Sequence, residues 1–218
     1  HSGAVRTVVF SPDGQHIITG SSDGTAKVWD VPSGNEVGSF PEFERWQLPQ
    51  ITSIDLSPGG RFALVGGSGR SAVFYEVETG RYLSPLRSPD DESTDYQPEE
   101  DSAYAVAYSA NGRHALTAGG GWHYSGEGTI KLWEVSTGEE IRTFEGETSG
   151  IRDIAFSPND RFALGGSSDG NLRLWEVVSG RLRTVFRGHA HSVQAVAFSA
   201  DGRRVLSGSS DGTAKLWD

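Results

Sequence analysis

One segment decides the fold: GSSDGTAKVWD at Gly20–Asp30, which returns as GSSDGNLRLWE at Gly166–Glu176 and as GSSDGTAKLWD at Gly208–Asp218. Each copy has an Asp-Gly pair, which tolerates the positive φ angles of tight turns. The residues after the pair alternate between polar and apolar types and end in Trp followed by a carboxylate. This pattern predicts a β-hairpin in each copy.

The closing aromatic residue of this segment marks five repeats. Trp133, Trp175 and Trp217 follow one another at intervals of 42 residues. The intervals from Trp29 to Tyr75 and from Tyr75 to Trp133 are 46 and 58 residues, so insertions lie there. A second turn signal precedes each hairpin, as FSPDG, LSPGG, YSANG, FSPND and FSADG at 10–14, 56–60, 108–112, 156–160 and 198–202. Such regular spacing indicates a repeat architecture.

Each repeat has room for four short strands, which we name a to d. Strand a, as in Val193–Phe198, is apolar on both alternating sets of side chains, which predicts burial on both faces. Strand b, as in Val205–Ser209, follows the first turn, and strand c ends at the closing aromatic residue. Strand d, as in Arg181–Phe186, is more polar. Four strands repeated every ~42 residues predict an all-β propeller whose blades surround a central axis.

The composition disfavours several classes of function. The chain has 29 acidic and 19 basic residues and a net charge of −10, so nucleic acid is an unfavourable partner. There is no cysteine for thiol or disulfide chemistry. No apolar run is long enough to span a membrane, and no signal segment opens the sequence. We expect a cytoplasmic protein that binds neither nucleic acid nor membrane.

The repeats resemble the WD-repeat β-propeller family. The fifth repeat matches the motif of that family at Gly188-His189, Val193, Phe198–Gly202, Ser207–Ser209, Asp211-Gly212 and Leu216–Asp218. The resemblance covers all five repeats, with blades at 1–40, 47–87, 102–145, 149–187 and 189–218. It implies a single propeller domain that acts as a non-enzymatic scaffold for another protein or peptide. The histidines and carboxylates of the sequence lack the spacing of metal ligands, and we expect neither a metal nor a cofactor.

The resemblance also implies a structural tetrad of His, Ser or Thr, Asp and Trp that ties the strands of a blade together. Its members are His1, Thr19, Asp23 and Trp29 in blade 1, and His189, Ser207, Asp211 and Trp217 in blade 5. Blade 4 departs from the pattern, with Glu147 at the His position and Gly165 at the hydroxyl position. Blade 3 has Glu99, Thr117 and Glu127 at the tetrad positions. Blade 2 has Gln47, Val65, Gly69 and Tyr75, which do not form a tetrad.

The number of blades in the complete ring stays open. The sequence starts at strand a of blade 1 and stops after strand c of blade 5, so blade 5 lacks its outer strand. We expect a piece of a larger propeller, because the family usually has seven blades, with fusion to further blades or domains. A five-bladed ring that lacks one strand is the alternative, as are two copies that combine. An open strand edge also allows self-assembly.

Candidate binding residues gather on one side of the predicted disc, where the d-to-a connections and the b–c hairpins emerge. We call this side the loop face, and the side of the a–b and c–d turns the turn face. The long insertions all fall on the loop face of blades 2 and 3. They contain Phe43, Arg45 and Trp46 in 41–50, Trp122, His123 and Tyr124 in 119–128, and an acidic segment at 88–102. Exposed aromatic residues are typical of binding hot spots, although they also pack under their own loops.

The second residue of strand a completes the binding hypothesis. This position has Arg6, Thr52, Tyr104, Arg152 and Gln194 in the five blades, and its chemistry varies as a non-repeating ligand requires. Ordinary surface variation is the alternative interpretation.

An enzyme is the alternative function. Asp55 and Asp153 lie on predicted inner strands, and catalysis there requires a deep pocket lined by carboxylates with shifted pKa values. The Gly-Ser-Ser-Asp-Gly segment matches the G-x-S-x-G nucleophile motif. That motif needs a strand-to-helix turn, whereas this segment joins two strands.

Overall fold

The computed structural model describes residues 1–40, 50–68, 70–86, 102–119, 128–144, 146 and 149–218. Every element of regular secondary structure in this part of the chain is a β-strand, which confirms the all-β prediction. No helix among the described residues has the length and hydropathy of a membrane span.

The described strands form five antiparallel sheets, one for each blade. Blade 1 contains β1 (Val5–Phe10), β2 (His16–Ser21), β3 (Ala26–Asp30) and β4 (Glu36–Phe40). Blade 2 contains β5 (Ile51–Leu56), β6 (Phe62–Gly67), β7 (Arg70–Glu76) and β8 (Tyr82–Pro85). Blade 3 contains β9 (Ala103–Tyr108), β10 (His114–Gly119), β11 (Thr129–Glu134) and β12 (Glu140–Thr143). Blade 4 contains β13 (Ile151–Phe156), β14 (Phe162–Ser167), β15 (Asn171–Glu176) and β16 (Leu182–Arg187). Blade 5 contains β17 (Val193–Phe198), β18 (Val205–Ser209) and β19 (Ala214–Trp217).

Strands a to d are neighbours in sequence order within every sheet. Because successive strands are antiparallel, the a–b and c–d turns lie at one end of each sheet and the b–c hairpins at the other. The hairpin turns have the backbone that the Asp-Gly pairs predict, since Gly24, Gly170 and Gly212 have φ angles of 80°, 84° and 81°. The structure therefore has the turn face and the loop face that the sequence predicts.

The first strands of consecutive blades pack side by side, in the order β1, β5, β9, β13 and β17. Hydrogen bonds from a backbone N–H of one blade to a side chain of the preceding blade join them. These bonds run from Ile54 to Thr7 Oγ1 (3.3 Å), from Val106 to Ser53 Oγ (3.1 Å) and from Val196 to Asp153 Oδ2 (2.7 Å). The arrangement confirms the propeller fold, with strand a innermost.

The hydrophobic core lies between adjacent blades. Phe40 of blade 1 stacks on Tyr75 of blade 2 with ring centroids 5.0 Å apart, and Phe144 of blade 3 meets Trp175 of blade 4 edge to face. Trp133, Trp175 and Tyr75 are among the largest fully buried side chains. The aromatic residue that closes strand c in each of these blades therefore holds neighbouring blades together.

Strand a of blade 5 differs from its prediction of burial on both faces. Val193 and Val196 are buried, but Ala195 and Ala197 are exposed. In blade 3 the corresponding Ala105 is buried in a cluster shared with blade 4. No described sheet packs on the matching side of blade 5. The alternation of side chains in one strand cannot show whether a neighbouring blade covers it.

The a–b turns of neighbouring blades meet at the turn face in two ways. At three boundaries a glycine with positive φ lies against the proline of the preceding blade. A Cβ atom placed on it would lie 2.9 Å from Pro12 Cδ at Gly60, 3.2 Å from Pro58 Cδ at Gly112 and 3.4 Å from Pro158 Cδ at Gly202. At the boundary of blades 3 and 4, Ala110 replaces the proline and Asp160 replaces the glycine. The Asp160 carboxylate accepts the N–H groups of Ala110 (2.6 Å) and Asn111 (3.0 Å).

Candidate functional site

A β-bulge interrupts strand a of every blade at its second residue. In blade 1, Val5 pairs with Ser21 and Thr7 with Gly20, so Arg6 has no partner in the register. The same shift occurs in the other four blades. The residues left over are Arg6, Thr52, Tyr104, Arg152 and Gln194, which we call the bulge ring. A bulge bends the strand and changes the direction of the extra residue's side chain. The fold thus repeats one backbone feature five times, with four different residue types at the bulge.

The bulge ring lies at the loop-face end of the inner strands. Arg6, Arg152 and Gln194 are exposed, whereas Thr52 and Tyr104 are half-buried. Thr52 Oγ1 donates to the Tyr104 carbonyl oxygen at 2.9 Å, which ties blade 2 to blade 3. Among the described residues, no group forms a hydrogen bond or ion pair with the guanidinium of Arg6 or Arg152. Two cationic groups are therefore left for other contacts at this end of the axis.

The other predicted binding residues lie outside the described residues. They are Phe43, Arg45, Trp46, Trp122, His123 and Tyr124, together with most of the acidic segment 88–102. The described strands fix only where these insertions leave and rejoin the fold. Segment 41–49 joins β4 to β5, and segment 120–127 joins β10 to β11, so both connect strand ends at the loop face.

The two inner-strand carboxylates considered for catalysis bind backbone N–H groups. Asp153 accepts from Ile154 (3.0 Å) and Val196 (2.7 Å). Asp55 accepts from the N–H of the next residue (2.8 Å) and from Tyr108 N–H (2.7 Å) of the following blade. Burial raises the pKa of Asp153 to about 6 and also raises the pKa of Asp55, although these hydrogen bonds favour the charged form. Both carboxylates thus connect one blade to the next.

Blade 5 contains the hydrogen bonds that the family resemblance implies. His189 Nε2 lies 2.8 Å from Ser207 Oγ, and His189 Nδ1 lies 2.9 Å from Asp211 Oδ2. Trp217 Nε1 donates to Ser207 Oγ at 2.9 Å. A hydrogen bond from Thr213, together with bonds from Ala190 N–H and His189, holds the pKa of Asp211 well below its usual value. A charged carboxylate thus anchors the buried imidazole.

Blade 1 reaches a similar arrangement through a fifth residue. His1 Nε2 lies 2.7 Å from Thr19 Oγ1, and Trp29 Nε1 donates to the same hydroxyl at 2.8 Å. His1 Nδ1 lies 2.8 Å from Thr25 Oγ1 but 3.7 Å from Asp23 Oδ1, which is too long for a hydrogen bond. Thr25 Oγ1 donates in turn to Asp23 at 2.6 Å. The sequence prediction missed Thr25, although Thr213 stands at the same position in blade 5.

Blade 4 replaces the tetrad with an ion pair. Asp169 Oδ2 lies 2.7 Å from Arg173 Nη2, and the arginine is buried. Burial opposes ionisation of Asp169, but hydrogen bonds from Arg173 and Asn171 outweigh it and lower its pKa to about 2. Gly165 makes room for the ring of Trp175, since a Cβ atom there would lie 3.0 Å from a ring carbon.

In blade 3, Trp133 Nε1 still donates to Thr117 Oγ1 at 2.9 Å. Glu99, Glu127 and Glu147 lie outside the described residues.

A metal centre has no support in the described part of the chain, where no group of three or more His, Asp or Glu residues is suited to hold an ion.

Comparison with known proteins finds a matching family and several relatives. The family described as "WD domain, G-beta repeat" matches residues 1–30, 138–176 and 180–218. The chain is 24% identical over 163 residues to "Pre-mRNA-processing factor 19 homolog 2" of Arabidopsis thaliana, which covers 74% of the chain and 28% of that protein. It is 28% identical over 167 residues to "Periodic tryptophan protein 2 homolog" of Dictyostelium discoideum, covering 77% of the chain and 16% of that protein.

A third relative is "Guanine nucleotide-binding protein subunit beta-1" of Caenorhabditis briggsae. It is 25% identical over 167 residues, which cover 77% of the chain and 44% of that protein. The chain therefore spans less than half the length of each of these three relatives.

Proposed function

This chain belongs to the WD-repeat family, and from that premise we propose that it is a non-enzymatic module that binds another protein or a peptide on its loop face. The observation that carries the proposal is the bulge ring. Every blade places one bulge residue at the same end of the axis, and the four residue types found there differ in charge, size and polarity.

The contacts of these residues support a binding role. A bulge needed only for the fold would suit similar side chains in all blades, whereas this position has two arginines, a tyrosine, a threonine and a glutamine. Arg6 and Arg152 are exposed, and no described carboxylate neutralises them, on a chain whose net charge is −10. Arginine and tyrosine are enriched at binding hot spots. The ring suits a partner that presents carboxylates beside an apolar group.

The two insertions that contain aromatic residues, 41–50 and 119–128, extend the proposed surface. They join strand ends at the loop face of blades 2 and 3 and contain Phe43, Arg45, Trp46, Trp122, His123 and Tyr124. Large aromatic residues provide contact area at a low cost in conformational entropy. Their presence in two neighbouring blades favours a partner that covers this side of the disc.

Two further observations favour a scaffold over an enzyme. Asp55 and Asp153 direct carboxylate oxygens at backbone N–H groups between blades, which accounts for their position without catalysis. In addition, the Caenorhabditis relative is by its name a subunit of a guanine nucleotide-binding protein, and so part of an assembly.

The experiment compares two variants of the protein as bait in extract of the source cells. One variant changes Arg6, Tyr104 and Arg152 to Ala on the loop face. The matched control changes the turn-face residues Arg113, Arg161 and Arg203 to Ala. We expect the loop-face variant to lose a partner that both the control and the unchanged protein retain. Equal recovery by both variants, with circular dichroism showing intact folds, contradicts the loop-face proposal.

A further inference from the structure

A cleft of about 680 Å³ opens on the turn face between blades 1 and 2, on the opposite side of the disc from the bulge ring. Val28 and Val37 of blade 1 and Val77 of blade 2 supply its apolar surface. Asp13 of blade 1 and Glu78 of blade 2 supply carboxylates from its two sides. We call it the 1–2 cleft. It combines an apolar wall with acidic groups that belong to different blades.

Strand d of blade 1 contributes a glycine, Gly38, to the lining of the 1–2 cleft. Gly38 pairs with Val28, and at the same register position of blade 3 Arg142 pairs with Leu132. A Cβ atom added to Gly38 would meet only Val28, at an ordinary contact distance of 3.7 Å. The space beside Gly38 is therefore open to a side chain.

Blade 3 shows which side chain suits this position. Arg142 extends toward the c–d turn of blade 4, where its Cδ comes within 3.2 Å of the Cβ position of Gly180. Its Nε is buried. The corresponding c–d turn of blade 2 contains Val77 and Glu78, which line the 1–2 cleft. An arginine side chain thus fills the boundary between blades 3 and 4. At the same register position, Gly38 leaves the boundary between blades 1 and 2 open.

The charges around the 1–2 cleft favour a cation. A hydrogen bond from Ser11 Oγ and a second from Gln15 N–H lower the pKa of Asp13, so its carboxylate is charged at neutral pH. Both bonds go to Oδ1, and no described group donates to Asp13 Oδ2 or to the Glu78 carboxylate. Arg61 also lines the cleft, but its guanidinium is bound to Glu76 at 3.0 Å. His16 is the other basic residue of the lining.

We propose that the 1–2 cleft binds an arginine side chain of a partner protein. The aliphatic stem packs on Val28, Val37 and Val77, as arginine stems do on apolar surfaces, and the guanidinium meets Asp13 and Glu78. This surface is separate from the loop face, so the module has a second contact of defined chemistry on its opposite side.

The test is a titration of the ¹⁵N-labelled protein with N-acetyl-arginine amide, followed by amide chemical shifts. We expect saturable shifts at Gly38, Gly59, Gly60 and Arg61. The neutral isostere N-acetyl-citrulline amide should bind about tenfold more weakly, because it lacks the charge-assisted hydrogen bonds. Gly38→Arg should abolish the shifts by filling the cleft from within. Thr184→Arg, which adds the same charge at the same register position of blade 4, should leave them unchanged.

Equal binding of the citrulline compound overturns the proposal, as do shifts that persist in a folded Gly38→Arg protein. If Gly38→Arg does not fold, Asp13→Asn combined with Glu78→Gln replaces it. That double variant should weaken arginine binding about tenfold, and unchanged binding again overturns the proposal. Neither result affects the loop-face proposal, which involves other residues and another readout.

Discussion

Blades 4 and 5 contain the same turn, Gly-Ser-Ser-Asp-Gly, but hold its aspartate in different ways. In blade 5 a buried His189 connects Asp211 to Ser207, and Trp217 donates to the same serine. In blade 4 the aspartate pairs with Arg173 of the following strand, and a glycine replaces the serine beneath the tryptophan ring. The comparison shows that the aspartate of this turn is bound by a basic side chain in both blades. That side chain can be a His distant in sequence or an Arg four residues away.

The largest effect is expected from removing the hydroxyl at the centre of blade 5. Ser207→Ala leaves the buried imidazole and the Trp217 N–H without their shared partner, so it should lower the free energy of unfolding by about 2–3 kcal/mol. Ser207→Thr should cost less than about 1 kcal/mol, since threonine plays this role in blade 1. Urea unfolding monitored by tryptophan fluorescence measures both. A loss for Ser207→Ala that is no larger than for Ser207→Thr would show that the tetrad does not stabilise the blade.

Breaking the ion pair of blade 4 should have the next largest effect. Asp169→Asn removes the carboxylate that Arg173 Nη2 binds at 2.7 Å and should lower the free energy of unfolding by about 2 kcal/mol at pH 7. Because the pKa of Asp169 is lowered to about 2, its contribution is present above pH 4 and is lost as the pH falls toward 2. The variant should therefore lose less stability than the unchanged protein over that interval. Parallel acid-unfolding curves for the two proteins would contradict this role.

Transplanting the serine of blade 5 into blade 4 tests whether the two solutions are interchangeable. Gly165→Ser places a Cβ atom 3.0 Å from the Trp175 ring, so overpacking should lower the free energy of unfolding by about 1–2 kcal/mol. The control is Gly208→Ser, where nothing lies within 4 Å of the new Cβ and the change should stay below about 0.5 kcal/mol. Thermal unfolding of both variants measures these two changes in stability. A stabilised Gly165→Ser protein would show that blade 4 merely lacks a hydroxyl.

The smallest loss of stability at pH 7 is expected at Asp153, which accepts the Val196 N–H at the boundary of blades 4 and 5, because burial of its charge offsets the gain from the hydrogen bond. The folded pKa of Asp153, about 6, lies above its ordinary value of 3.8, so its contribution is complete below pH 4 and declines as the pH rises through 6. Asp153→Asn should remove this decline, which the rise of the pKa from 3.8 to about 6 makes about 2–3 kcal/mol between pH 4 and pH 7. Unfolding free energies at pH 4 and pH 7 measure it, with Asp169→Asn as the control. Identical changes between the two pH values in Asp153→Asn and the unchanged protein would contradict this assignment.

The sequence predicts the parts of the fold that depend on neighbouring residues. Strands a and b of blade 5 were predicted at Val193–Phe198 and Val205–Ser209, and β17 and β18 have those bounds. Alternation of side chains and the turn preference of Asp-Gly are local properties, so one sequence reveals them. The order of strands within a blade follows from the short connections.

The candidate site was only partly predictable. Sequence reasoning placed Arg6, Tyr104 and Arg152 at the mouth of the inner strands but not on bulges, because a bulge appears only when two strands are paired. It considered Asp153 as a catalytic group, whereas the N–H it binds belongs to the next blade, 43 residues later. It also missed Arg173, because the family pattern directs attention to a distant His rather than to a partner four residues away.

The exchange of Pro and Gly for Ala110 and Asp160 has a consequence for anyone who rearranges this protein. Three boundaries share one type of connector, and the boundary of blades 3 and 4 has another whose two halves fit only each other. Deleting blade 4 would set Ala110 against Gly202 and leave its N–H without an acceptor. Deleting blade 3 would set Pro58, which has no N–H, against the Asp160 carboxylate. The blades of this chain can therefore be reordered only if the blade with Ala110 stays directly before the blade with Asp160.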